Sequence, residues 1–192
     1  MRQLQLGSVW VLVLASLAQP AIAQSERYPT ATELQQLAQE LRRKIPDLQA
    51  SGFYSDRRTF EEWQERSAYA EAWADFDPAI APFLGEWTAI EESLYIYPAT
   101  ARGGVCVLDV YLDESKFYTG QVRDGKLYTD QNQVFFLDDN FLGNASVSEN
   151  QPSLYEYAYP LPLPNPSEEL GQYYSETVTA FEASGCLVGL PQ

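Results

Sequence analysis

The chain has 192 residues, with 12 Lys and Arg against 27 Asp and Glu, a formal net charge of −15, and no histidine. The missing imidazole excludes Ser-His-Asp and Cys-His catalysis as well as histidine metal ligation. The acid excess repels a phosphate backbone and an anionic lipid surface, so neither a nucleic acid nor such a membrane is an expected partner. With 45% hydrophobic and 14% aromatic residues the composition still supports a packed core, and the length predicts one compact domain with a helical annex.

The first residues read as an export signal. Arg2 supplies a positive charge, residues 6–18 are an apolar stretch, and Gln19-Pro20-Ala21-Ile22-Ala23 ends in a small-x-small pattern suited to cleavage after Ala23. The stretch is shorter than the roughly 20 apolar residues a membrane-spanning helix needs. Residues 1–23 are therefore expected to be a signal peptide, and the processed protein is expected to be secreted, periplasmic or lumenal, with no integral membrane span. Cleavage removes one arginine and no acid, so the product is more acidic still.

Cys106 and Cys186 lie 80 residues apart. In an oxidising compartment an even cysteine count reads as a disulfide, and closing a loop of that length stabilises the fold by about 4 kcal/mol on the chain-entropy treatment. The pair lacks the close C-x-x-C spacing of a redox site.

Residues 24–82 read as a helical N-terminal segment. Thr32 with Gln35 matches a capping box, and Leu34, Leu37, Ala38, Leu41 and Ile45 follow at three- and four-residue steps that build one apolar stripe. Pro46 is expected to end this helix, which places Arg42-Arg43-Lys44 at its C-terminus, where cations complement the dipole. A second helix puts Phe60, Trp63, Ser67, Ala70 and Ala74 on one side, with Glu62 and Arg66 positioned to pair on the other, and Asp77-Pro78 stops it.

Residues 83–192 read as an antiparallel β domain: short runs rich in Val, Tyr, Phe, Leu and Thr, separated by Gly, Asp, Asn and Pro. The expected strands are 86–97, 104–112, 116–123, 126–130, 133–137, 141–147, 153–159, 173–182 and 186–190. Asp124-Gly125 is a two-residue hairpin signal that sets Val122 opposite Leu127. The proline-alternating run at 160–166 reads as a stiff connector, because its prolines lack the backbone donor a paired inner strand needs. The fold class is thus α+β, mainly β: a helix pair followed by a small antiparallel β-barrel, with a β-sandwich as the alternative.

Phe83-Leu84-Gly85-Glu86-Trp87 resembles the Gly-x-Trp opening of lipocalin-like, or calycin, barrels. That resemblance implies that the tryptophan plugs one end of an up-and-down barrel whose other end admits a small apolar ligand. The string Phe83 to Pro98 also looks like exported cyanobacterial proteins, a likeness that bears on compartment and not on activity. Strict alternation from Trp87 conflicts with an inward Leu94, and a bulge at Glu91-Glu92 would reconcile the two.

Tyr95, Tyr97, Tyr155 and Tyr157, with Tyr159 and Tyr173/Tyr174, are aromatic rings with polar tips, suited to a pocket lining, to a protein-binding face, or simply to half-buried strands. Candidate ligand-binding residues are Trp87, Tyr95, Tyr97, Tyr155 and Tyr157. The carboxylate pairs Glu91/Glu92, Asp113/Glu114 and Asp138/Asp139 point to opposite faces when adjacent on a strand, so none alone supplies a glycosidase geometry. Asp130-Gln131-Asn132 and Asp138-Asp139-Asn140 read as turns rather than calcium loops, and Asn144-Ala145-Ser146 matches a glycosylation acceptor. No catalytic, cofactor-binding or metal residue is assigned and no cofactor is expected. The functional expectation is an exported, non-enzymatic small-ligand-binding barrel taking an apolar or aromatic ligand. The alternatives are an extracytoplasmic protein-interaction or inhibitor module and a carboxylate-dependent hydrolase.

Overall fold

The computed structural model describes residues 27–191, so the export signal and its cleavage site near Ala23 lie outside the described residues. Eight strands, β1 (Gly85–Ala89), β2 (Glu92–Pro98), β3 (Gly104–Tyr111), β4 (Glu114–Arg123), β5 (Lys126–Thr129), β6 (Val134–Asp138), β7 (Phe141–Ser148) and β8 (Gln151–Leu161), form a closed antiparallel barrel in chain order. Pairing of β1 with β8 completes the cylinder. Closure removes the free edges that a sandwich would keep. Two helices, α1 (Ala31–Ala50) and α2 (Phe60–Phe76), precede the barrel. A short 3-10 turn, Ala81–Phe83, leads into β1, while α3 (Pro166–Glu169) and α4 (Ser175–Ala183) follow β8.

Helix α1 starts two residues earlier than its sequence pattern indicated. Thr30, not Thr32, is the N-cap, and its hydroxyl and the Glu33 carboxylate complete a reciprocal capping box. The Leu34, Leu37 and Leu41 stripe packs on the outer face of β6 to β8, against Val134, Phe136, Phe141, Ala145 and Ala158. Ile45 and Leu48 join the same cluster, so packing carries the helix past Pro46 to Ala50 despite the lost backbone donor. Arg42 and Lys44 therefore sit before the last turn and reach across to the barrel, Arg42 to Asp138 at 2.9 Å and Lys44 to Glu156.

Helix α2, capped by Thr59 and Glu62, buries a different face from the one its sequence suggested. Trp73 is the buried residue, with Tyr69 and Ala74 beside it, while Phe60 and Trp63 stack on each other at the exposed end. Among the described residues Arg66 pairs with neither Glu62 nor any other acid. Its guanidinium donates to the carbonyls of Leu84 at 3.0 Å and Pro82 at 2.8 Å, and burial lowers its pKa to about 10. Helix α2 thereby closes one end of the barrel.

The expected strand 86–97 is two strands. The chain reverses at Ile90-Glu91, where Glu91 takes φ +61°, and Trp87 then lies directly opposite Leu94. Both point inward without a bulge. The Asp124-Gly125 hairpin and its Val122–Leu127 pair form as expected, with both turn residues at positive φ. Gly85 is required where it stands: its φ is +141°, and a Cβ there would lie 2.9 Å from that of Pro160.

The expected strand 173–182 is helix α4, and 186–190 contributes only an isolated bridge between Cys186 and Ala99. Val178 and Phe181, one turn apart, join Leu170 in covering Tyr95, Tyr97, Cys106 and Leu108 on the outer face of β2 and β3, and this packing overrides the strand preference of a Thr- and Val-rich run. β8 extends to Leu161, which pairs with Glu86, so the connector begins later than expected, at Pro162. It crosses to α3 with the Tyr97 hydroxyl donating to the Pro164 carbonyl at 2.8 Å. The Cys106–Cys186 disulfide fastens the segment after α4 to β3.

Candidate functional site

In an eight-stranded barrel the interior is about as wide as the side chains that fill it, and here the filling changes from one end to the other. At the closed end Trp87, 1% exposed, packs with Ile96, Val105, Val122, Leu127 and Phe135. Its indole N–H donates to the Phe83 carbonyl at 2.7 Å, so the one polar atom of this plug is satisfied.

The opposite end is open and chemically different. Ile90, Glu91, Glu92, Asp109, Tyr111, Glu114, Lys116 and Tyr155 line a cavity of about 640 Å³. Register explains why they meet. Leu94 faces inward and pairs with Asp109, Asp109 pairs with Lys116, and Glu92 pairs with Tyr111. The inward alternation from Trp87 thus runs through the β1–β2 turn into a set of polar residues at the mouth.

The floor of this cavity is a carboxyl pair held by two tyrosines. The Tyr157 hydroxyl donates to Glu92, and the Tyr118 hydroxyl to Asp109 at 3.4 Å. Burial first, then the neighbouring Glu92, push the Asp109 carboxyl up to about 7. Asp109 therefore holds its proton up to about neutral pH. Burial and these acids also raise Tyr118 and Tyr157 well above their ordinary range, which keeps both phenols as donors.

Among the described residues no three His, Cys, Asp or Glu side chains gather as a metal site. Asn144 pairs in register with Tyr155 and Phe135, on the inward face. It is only 9% exposed, and its Oδ1 is buried with no hydrogen-bond partner. An inward amide is also no acceptor for a glycan in the folded barrel.

Of the five candidate ligand residues, the structure brings two to this mouth. Tyr155 is 37% exposed at the rim, with its hydroxyl donating to the Ile90 carbonyl at 3.3 Å, and Tyr157 lies edge-on beneath it at 5.2 Å between ring centres. Trp87 is in the plug. Tyr95 and Tyr97 lie outside the barrel, Tyr97 against Phe181 at 4.9 Å.

Glu92, Asp109, Tyr118 and Asn144 were not singled out as site residues by sequence. Inward alternation counted on both sides of a turn at Ile90-Glu91 would have placed Glu92, whereas Asp109 depends on the β2–β3 register. The Asp130 and Asp138-Asp139 segments are turns, with Asn132 and Asp139 at positive φ. No family model, curated protein or solved structure matches the chain.

Proposed function

We propose that the protein is an exported, non-enzymatic, lipocalin-like barrel that holds a small organic ligand with an aromatic or apolar body in its open mouth. The observation that carries this reading is the roughly 640 Å³ cavity above the Tyr157–Glu92–Asp109 floor, within the ordinary size range of small-molecule sites. Ile90, Tyr111 and Tyr155 supply its apolar and aromatic walls. Ligand contact falls to Tyr155, while Tyr157 lies beneath it and Trp87, Tyr95 and Tyr97 serve as packing. The oxidised cysteine pair and the apolar leader support action outside the cytosol.

The test is titration of the processed protein with the neutral fluorescent probe N-phenyl-1-naphthylamine, together with native mass spectrometry of freshly purified material. Saturable probe binding that weakens at least tenfold in Tyr155→Ala, with the fold intact, is the expected result. A folded protein that neither binds the probe nor retains a co-purifying small molecule would overturn the reading.

A further inference from the structure

We infer that the mouth takes an organic cation, a protonated amine on an aromatic body, whose N–H groups are met by Glu92 and Asp109. This inference rests on the ligand-binding reading and adds the chemistry of the head group. The cavity is rich in acceptors. Glu92 accepts a bond from Tyr157 and Asp109 one from Tyr118, yet a carboxylate offers about four lone-pair sites, so both have capacity left.

Charge points the same way. The groups lining the cavity are Glu91 and Glu92 from the β1–β2 reversal and β2, Asp109 and Tyr111 from β3, Glu114 and Lys116 from β4, and Tyr155 from β8. Tyr118 and Tyr157 lie beneath. Four carboxyls against one ammonium favour a cationic guest, and the rings of Tyr111 and Tyr155 at the rim suit one through their faces. Among the described residues no three carboxyls gather as a bare metal ion requires, while the aromatic rim suits an ammonium with a carbon body. Because Asp109 holds its proton up to about 7, seating a cation beside it expels that proton, and binding strengthens as pH rises through about 7.

The test compares three ligands of one shape on the processed wild-type protein by calorimetry at pH 8: tyramine, its neutral alcohol tyrosol and its acid 4-hydroxyphenylacetate. Tyramine is expected to bind at least tenfold more tightly than tyrosol, and the acid more weakly than either. The tyramine preference should shrink at pH 5.5. Near pH 7, heats in buffers of different ionisation enthalpy should report proton release. Asp109→Asn, nearly isosteric, should lose the preference while still binding tyrosol. Equal affinities for tyramine and tyrosol would overturn the cation and leave the mouth as a ligand site. Binding of none of the three would also overturn it, and N-phenyl-1-naphthylamine titration then decides separately whether the mouth binds ligands at all.

Discussion

The two halves of the barrel interior obey opposite rules. Around Trp87 the side chains are mostly apolar and closely packed, the indole N–H is satisfied, and Arg66 seals the end by binding the carbonyls that the turn into β1 leaves free. Around Asp109 the same eight strands enclose carboxyls, phenols and an amide whose oxygen has no partner. Stability is concentrated where the interior is filled. Chemistry is concentrated where desolvated polar groups are tolerated at a cost, as at many binding sites.

Truncation separates the halves most sharply. Trp87→Ala is expected to lose about 3–5 kcal/mol of unfolding free energy, the range for emptying a large aromatic site in a packed core. Urea denaturation checks this, and a loss below about 1 kcal/mol would break the distinction. Replacing both Cys106 and Cys186 by alanine should cost about 4 kcal/mol, from the freed 80-residue loop. The bond lies on the outer face against α4, so probe binding at the mouth should survive in the folded fraction. Parallel loss of binding and stability would show that the halves are not independent.

Asp109 gives a smaller effect with a definite sign. Its carboxyl is raised from 3.8 to about 7 in the folded protein, so between pH 4 and pH 7 the native state holds more proton than the unfolded chain. Stability should therefore fall as pH rises across that window, by at most about 1.4 kcal/mol per pH unit from this group. In Asp109→Asn this contribution disappears, which denaturation curves at several pH values will reveal; an unchanged pH slope would contradict the assignment. The smallest stability change belongs to Tyr155→Ala at the rim, expected to cost under about 1 kcal/mol while weakening probe binding at least tenfold. A large stability loss there would make Tyr155 part of the scaffold.

The barrel was legible in sequence where local chemistry announces itself, and obscure where it does not. Asp124-Gly125 marks its turn because glycine and aspartate accept positive φ. Ile90-Glu91 makes an equally sharp reversal with residues that carry no such signal, so two strands read as one. The run around Val178 carries strand-favouring residues but packs as a helix, because one face meets Tyr97 and Leu108. The site was harder still. Glu92 and Asp109 are 17 positions apart and meet only through the β2–β3 register, which no local pattern encodes.

Cys106 belongs to the third strand, whereas Cys186 follows all eight. The bridge cannot close while the ribosome is still making the later strands, since its second sulfur does not yet exist. Oxidation of this pair thus acts as a completion seal: a chain that stops between the two cysteines keeps Cys106 as a lone thiol.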